Sequence, residues 1–218
     1  VTAAVNAAVS ADIVVVVGAT TATEFIDRDV IHPGLAMSND VDSIISTVSG
    51  YKPTIVLMQT PGAVMMPWLD RVKAVANLFL GGEETGTAWG SLLFGDHSPE
   101  GKLPIQFPKS LQDTIKNEQS KHFEYTEGLF TSYRNPDVEY AFPFGHGLSY
   151  TTFEYGAPTI VKESCSAKIC VSLVVKNSGE RRGSEVVQAY MEFEGALETP
   201  KKILRGFHKT KVLKAGES

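Results

Sequence analysis

The N-terminal part of the chain alternates between short continuous hydrophobic runs and stretches with helical spacing. Residues 13–17 and 54–58 are runs of β-branched and aliphatic side chains, and residues 76–80 form a third mainly apolar run. Continuous hydrophobicity over about five residues is typical of a strand buried on both faces, as in a parallel sheet. The pattern therefore predicts three buried strands.

Helical spacing fills the intervals between these runs. Apolar residues at positions 1, 4, 5, 8 and 9 predict a helix before the first strand. A cap at Ser38 or Asn39 predicts a second helix through residue 48, and further helices are predicted over residues 68–75 and 83–94. Alternation of strand and helix predicts an α/β domain over residues 1–110, with a mostly parallel sheet covered by helices.

The pattern changes in the second half of the chain. Prolines and aromatic residues punctuate the stretch after residue 96, and residues 111–150 are interpreted as a segment that wraps over the first domain. Alternating apolar and polar positions then predict strands, namely residues 169–176, 185–193, 202–207 and 209–213. A sandwich of such strands needs about 100 residues. Residues 151–218 are therefore predicted to form a partial all-β, immunoglobulin-like sandwich.

Composition narrows the class of protein. The chain has 218 residues and a net charge of -5, which disfavours a broad nucleic-acid footprint, and no apolar run approaches the ~20 residues of a membrane span. Cys165 and Cys170 leave open one local disulfide or two free thiols. The chain starts inside a helical pattern and ends in a turn-like pattern, so we expect a piece of a longer protein.

Six stretches of the sequence occur in an order that resembles one enzyme family. They are EFIDR (24–28), PGAVMMPW (61–68), GGEETG (81–86), FGDHSPEGKLP (94–104) with FP (107–108), YTEGLF (125–130) with YR (133–134), and FPFGHGLSYTTF (142–153). Together they look like the C-terminal half of glycoside hydrolase family 3, of the β-glucosidase and β-xylosidase type. The resemblance implies a partial α/β sandwich, then the start of a fibronectin type III-like domain from residue 151. It also implies an upstream barrel domain that this sequence does not contain.

The resemblance implies a role for one carboxylate. Retaining glycosidases use a nucleophile and a general acid/base, and the family places its nucleophilic Asp on the barrel. Glu24 matches the family's Glu-x-x-Asp-Arg pattern and is the implied acid/base, with Asp27 and Arg28 supporting its loop. Phe25 and Trp68 are candidates for lining the substrate site. From the residues alone, Glu24 is also compatible with a solvated loop carboxylate, and Trp68 with a core anchor beside a proline.

Other polar residues have simpler interpretations. Glu83 and Glu84 suit the start of a helix, and His146 suits a packed structural position. Asp96 and His97 lack further ligands at metal spacing, so no metal or cofactor is expected. Glu127 and Arg134 are a candidate pair within the wrapping segment, with a role at the rim of the site as the alternative.

The sequence thus predicts part of a retaining β-glycosidase whose partners are a β-linked oligosaccharide or glycoside and an upstream barrel. The alternative is a non-catalytic carbohydrate-binding or scaffold module that keeps the fold. Phe25 favours it, because the family commonly has Gly there. A third option is an interaction role for the sandwich alone, through an open strand edge. Family habit implies an extracellular protein, or else a vacuolar or periplasmic one. Oligomeric state and sugar preference stay open.

Overall fold

The computed structural model describes residues 1–22, 35–38, 40–115, 124–163, 165–193 and 199–218. These residues form two compact units. The first unit contains Val1–Trp89 and Pro104–Phe144, and the second contains Gly90–Leu103 and Gly145–Ser218. The predicted order, an α/β part followed by an antiparallel β part, is confirmed. Across the described residues, no helix combines the length and apolarity needed to cross a membrane.

A three-stranded parallel sheet organises the first unit. Strand β2 (Thr54–Gln59) lies in the middle, between β1 (Val14–Ala19) and β3 (Ala74–Asn77). Helix α1 (Thr2–Val9) precedes β1, and helix α2 (Val41–Val48) precedes β2. Because all three strands run in the same direction, their carboxyl ends lie at one edge of the sheet.

Helix α2 packs on β1 and β2 and closes the core of the first unit. Its residues Ile45 and Val48 are buried, as are Val56 and Leu57 of β2. The helix approaches β1 so closely that a Cβ atom at Gly18 would lie 2.7 Å from Val41 Cγ1. A glycine is therefore required where β1 meets α2.

The prediction that each strand is buried on both faces is right for β2 and wrong for β1. Val15 and Val17 are 42% and 64% exposed. They are two residues apart, so their side chains point to the same side of the sheet. Within the described residues β1 is an edge strand, and one of its faces stays largely open.

The predicted helix over residues 68–75 is also wrong. Only Leu69–Arg71 form a short 3-10 turn, and β3 begins at Ala74. The Lys73 amide already donates to the Thr54 carbonyl, so the chain has joined the sheet by that residue. Pairing with β2 overrides the helical spacing. The next helix, α3 (Thr85–Phe94), agrees closely with its prediction.

Short strands and aromatic contacts fix the rest of the first unit. Strand β4 (Phe107–Pro108) pairs antiparallel with β5 (Tyr140–Phe142). The ring of Phe107 lies 6.3 Å from that of Phe79, and the rings of Tyr133 and Phe144 stack at 4.6 Å. Two 3-10 turns, Leu111–Asp113 and Ser132–Arg134, complete the described part of this segment.

The second unit consists of antiparallel pairs. Strand β6 (Phe153–Tyr155) pairs with β9 (Val175–Asn177), β7 (Thr159–Val161) with β8 (Cys170–Ser172), and β10 (Val186–Glu192) with β11 (Lys202–Lys209). The single strand predicted over residues 169–176 is thus two strands with different partners. The two strands predicted over residues 202–213 are one strand, followed by an isolated bridge between Leu213 and Gly183.

Two features tie the second unit together internally. The Lys102 ammonium lies 3.0 Å from Glu185 Oε1, with both side chains largely buried, and it also donates to the Gly147 carbonyl at 2.7 Å. A disulfide joins Cys165 and Cys170 at the β7–β8 hairpin, which selects one of the two alternatives that the sequence left open.

Candidate functional site

The candidate site lies at the carboxyl edge of the parallel sheet, where the loops that follow the three strands begin. The amide after β1, at Thr20, donates to the Gln59 carbonyl at 3.0 Å, and the amide of Leu78 after β3 donates to the Met58 carbonyl at 2.9 Å. The strands therefore stay paired to their last residues. Loops that follow such strands form the ligand crevice in open α/β sheets.

Glu24, Phe25, Asp27 and Arg28 lie outside the described residues, within segment 23–34. Their roles stay predictions. The structure does describe the residues that flank this segment, and these flanks belong to the carboxyl edge.

Hydrogen bonds join the two flanks. The hydroxyl of Thr20, in the N-terminal flank, lies 2.8 Å from that of Ser38, in the C-terminal flank, and the Thr21 amide donates to Ser38 Oγ at 3.2 Å. Both hydroxyl residues are buried. On the C-terminal side, the Leu35 carbonyl accepts from the Met65 amide at 3.0 Å. The segment that carries Glu24 therefore leaves and rejoins the fold at neighbouring points.

Asp42 connects the C-terminal flank to the core. Its Oδ2 atom accepts from the Met37 amide at 3.0 Å, and its Oδ1 atom accepts from the Trp68 indole N–H at 2.7 Å. Trp68 has no exposed surface. Its ring therefore presents no face on which a sugar could stack, and this placement corresponds to the core-anchor interpretation.

A second polar cluster at the same edge had no place in the sequence interpretation. Thr60 is fully buried, and its hydroxyl exchanges hydrogen bonds with the side-chain amide of Asn77. Asn77 Oδ1 also accepts from the Phe79 amide at 3.1 Å. Phe79 has a φ of 52°, a left-handed conformation that is uncommon for a bulky residue. The signals available in the sequence were a polar residue soon after the run 54–58, namely Thr60, and a polar residue within the run 76–80, namely Asn77.

The remaining sequence candidates lie apart from this edge or at its margin. Glu83 and Glu84 are exposed and immediately precede α3. His146 belongs to the second unit, where burial first, and then the Lys102 ammonium, lower the pKa of its imidazole. This burial agrees with the interpretation of His146 as a structural residue.

Known protein families match the whole of the first unit and part of the second unit. The model of the glycosyl hydrolase family 3 C-terminal domain matches residues 1–150, and that of the fibronectin type III-like domain matches residues 185–218. The fold and the sequence thus define a glycosidase-family architecture. This chain belongs to glycosyl hydrolase family 3.

Individual relatives agree with this membership. A β-glucosidase of Rhizobium radiobacter is 39% identical over 194 residues, which cover 83% of this chain and 24% of that protein. The structure of the β-glucosidase DesR from Streptomyces venezuelae in complex with D-glucose has a TM-score of 0.85 at 36% identity and covers 99% of this chain. The β-glucosidase from Kluyveromyces marxianus gives a TM-score of 0.89 at 32% identity.

The matched region is a minor part of these relatives. The chain spans about a quarter of the Rhizobium radiobacter protein, 29% of the Streptomyces venezuelae chain and 27% of the Kluyveromyces marxianus chain.

Proposed function

We propose that this chain works as the C-terminal part of a retaining β-glycosidase that hydrolyses β-linked glucosides or xylosides. The observation that carries the proposal is the pair of anchored flanks around segment 23–34, at the carboxyl edge of the sheet. Relatives named as β-glucosidases support the reaction class. In this proposal Glu24 is the general acid/base, and the nucleophilic Asp comes from an upstream barrel.

The chemistry proceeds in two steps. As the nucleophilic carboxylate attacks the anomeric carbon, Glu24 gives its proton to the glycosidic oxygen, and the aglycone leaves as an alcohol. The Glu24 carboxylate then takes a proton from water, whose oxygen attacks the glycosyl-enzyme and releases the sugar and the nucleophile. One group therefore acts first as acid and then as base.

The described residues supply positioning for this carboxylate. The paired hydroxyls of Thr20 and Ser38, and the acceptor atoms of Asp42, fix the two ends of the segment against the sheet. Phe25 would provide the apolar surroundings that raise a carboxyl pKa, as a proton donor requires. Asp27 and Arg28 would hold the segment in shape as an ion pair.

The test is a comparison of Glu24→Gln with the unchanged chain, each joined to its upstream domain, on aryl β-glucosides of graded leaving-group ability. General acid catalysis contributes roughly 10²–10⁴-fold. We expect a loss of that size in kcat/KM for phenyl glucosides and a much smaller loss for dinitrophenyl glucosides, whose phenolate leaves without a proton. The chain alone is expected to be inactive, because the proposal places the nucleophile on the upstream barrel.

Glu83→Gln and Glu84→Gln are the matched controls, because both carboxylates are exposed and follow the same edge of the sheet. Each should keep nearly full activity on every substrate. Unchanged hydrolysis of phenyl glucosides by Glu24→Gln would remove Glu24 from the mechanism.

A non-catalytic carbohydrate-binding or scaffold module is the second candidate, because Phe25 stands where the family commonly has Gly. The same assay separates the two candidates. Binding of a glucoside by the joined protein, with no hydrolysis of even the dinitrophenyl substrate, is the result that this second function predicts.

We also propose that the protein works in an oxidising compartment, outside the cytosol. Both cysteines of the chain are joined in one disulfide. Such bonds persist in secreted, periplasmic and lumenal proteins and are rare in the cytosol. The state of these two residues in protein isolated from its source is therefore the decisive measurement.

A further inference from the structure

Two bulky residues at the carboxyl edge of the sheet have a left-handed backbone. Leu35, the first residue of the C-terminal flank (residues 35–38) of segment 23–34, has a φ of 56°, and Phe79, two residues after β3, has a φ of 52°. This conformation is costly for such side chains, because the Cβ atom approaches the backbone too closely. Residues of this kind persist where the surrounding structure fixes them, and they cluster at functional sites. The backbone of Leu35 is therefore a candidate for a functional role.

Hydrogen bonds along the C-terminal flank hold Leu35 in this conformation. The Leu35 carbonyl accepts from the Met65 amide at 3.0 Å, and two residues later the Met37 amide donates to Asp42 Oδ2 at 3.0 Å. Ser38, at the end of the flank, is hydrogen bonded to the opposite flank. Met37 and Ser38 are also 5% and 3% exposed. Bonds at three of four consecutive residues therefore restrict the flank to one path.

The amide that binds the Leu35 carbonyl belongs to a firmly packed loop. Val64 and Met66, on either side of this amide, are 0% and 7% exposed. Thr60, near the start of the same loop, is fully buried, and its hydroxyl exchanges hydrogen bonds with the side-chain amide of Asn77 at the end of β3. The core and the neighbouring strand thus fix the group to which Leu35 is bound.

The direction of the chain at Leu35 limits where the segment that carries Glu24 can lie. A left-handed residue turns the chain in a direction that right-handed and extended residues do not produce. At the other end, Ser38 holds the Thr21 amide, and Glu24 follows Thr21 by three residues, a span of at most about 11 Å. A displacement of about 1 Å in a reacting group can cost about 10²-fold in rate. A relaxed flank would therefore impair proton transfer.

We propose that Leu35 is a positioning residue for the general acid/base. Its left-handed backbone sets the direction of segment 23–34 and so holds Glu24 at the glycosidic oxygen. The inference rests on the proposed function, because Leu35 has no chemistry of its own and acts through Glu24. The cost of the left-handed conformation is the physical consequence of a path that a relaxed backbone would leave.

The experiment uses Leu35→Gly in the chain joined to its upstream domain, assayed on phenyl and dinitrophenyl β-glucosides. Glycine adopts the left-handed conformation without steric cost, but it adopts many other conformations as readily. We expect kcat/KM for phenyl glucosides to fall by roughly 10–10²-fold. The value for dinitrophenyl glucosides, whose leaving group needs no proton, should change little. In chemical denaturation, Leu35→Gly should be at least as stable as Leu35→Ala, which keeps the steric cost.

Two further variants separate direction from steric cost. Leu35→Asn should keep nearly full activity on both substrates, because asparagine tolerates the left-handed region and restricts the backbone more than glycine does. Ser132→Gly is the matched control, since Ser132 has a φ of 56° and its hydrogen bonds, within the described residues, lead to Gln106 and Asn135. It should leave both activities unchanged.

A variant of the supporting loop gives a second test that does not alter Leu35. Thr60→Val removes the buried hydroxyl but keeps the size of the side chain, and Thr60→Ser keeps the hydroxyl. We expect the substrate-dependent loss in Thr60→Val and nearly full activity in Thr60→Ser. This pair decides the question if Leu35→Gly does not fold.

The outcomes distinguish this inference from the proposed function. An equal loss on both glucosides shows a general structural role and overturns the positioning role. Full activity of Leu35→Gly on phenyl glucosides, while Glu24→Gln loses it, overturns the positioning role and leaves the proposed function standing. Unchanged hydrolysis of phenyl glucosides by Glu24→Gln removes the proposed function and the positioning role together.

Discussion

Asp42 is the residue on which both the core and the candidate site depend. One carboxylate oxygen holds the buried indole of Trp68, and the other holds the Met37 amide, close to the segment with Glu24. Acidic residues in the first turn of a helix are also favoured by the helix dipole, which explains Asp42 locally. Its contact with Trp68, 26 residues away, arises only in the folded chain.

We predict that Asp42→Ala lowers the free energy of unfolding by about 2–3 kcal/mol, because it leaves the buried Trp68 N–H and the Met37 amide without their charged acceptor. Chemical denaturation of the chain measures this change. Ser43→Ala, on the exposed side of the same helix, is the matched control and should stay within about 0.5 kcal/mol of the unchanged chain. Equal stability of the two variants would show that Asp42 does not hold Trp68.

Tyr155 supplies a prediction about alkaline pH. Burial, together with the charge of Glu185 and a hydrogen bond to it, raises the pKa of Tyr155 from 10.0 to about 12. The folded state therefore keeps the phenol protonated where the unfolded state loses its proton. The stability that this group contributes is complete below pH 10 and is lost as the pH rises towards 12.

Absorbance at 295 nm, which reports tyrosinate, tests this prediction. The difference between the titration curves of the unchanged chain and Tyr155→Phe should show one ionisation near pH 12. In denaturation experiments, the stability difference between the two proteins should shrink as the pH rises from 10 to 12. A difference curve centred near pH 10 would contradict the contact between the Tyr155 phenol and the Glu185 carboxylate.

At the scale of elements, the disulfide of the β7–β8 hairpin allows a test of the proposal that the protein works in an oxidising compartment. The disulfide between Cys165 and Cys170 closes a loop of a few residues, and the chain-entropy model gives about 2 kcal/mol for such a loop. We expect Cys165→Ser to lower the free energy of unfolding by up to that amount. Reduction of the unchanged chain should have the same effect and should add nothing to the variant.

Alkylation under non-reducing conditions, followed by mass spectrometry, measures the state of the two cysteines in protein from its source. Neither should react before reduction, and both should react after it. Two alkylated thiols in the untreated native protein would exclude the disulfide and, with it, the argument for an oxidising compartment.

The helices and strands also show where the hydrophobic pattern of the sequence was sufficient to predict secondary structure. Residues 54–58 form the predicted strand, and residues 85–94 form most of the helix predicted over residues 83–94, because the hydrophobic pattern of each agrees with its place in β2 or α3. The helix predicted over residues 68–75 is wrong because the spacing of apolar residues is helical, whereas the chain pairs there with a strand. Strand β3 pairs with β2 from Ala74 onward. The single strand predicted over residues 169–176 is wrong because β8 pairs with β7, whereas β9 pairs with β6. A single sequence pattern cannot encode a change of partner.

At the scale of the whole molecule, each unit has its own organisation. The first unit brings Thr20, Ser38, Thr60 and Asn77 to one sheet edge, where they fix the ends of segment 23–34 and the turn at Phe79. The second unit joins residues 102 and 185 through a largely buried ion pair. The part of the chain from Gly90 to Leu103 thus belongs with the antiparallel strands, although it follows the parallel sheet in sequence.

The sequence by itself determined the class of fold, the family and the candidate acid, because hydrophobic periodicity and short ordered motifs are local properties that can be read along the chain. Only the tertiary structure decided that Trp68 is a core residue, that β1 is an edge strand among the described residues, and that Cys165 and Cys170 are joined. Each of these depends on which distant residues meet. Packing and hydrogen bonding over the whole chain determine which residues meet, and the spacing of residues along the sequence does not indicate these contacts.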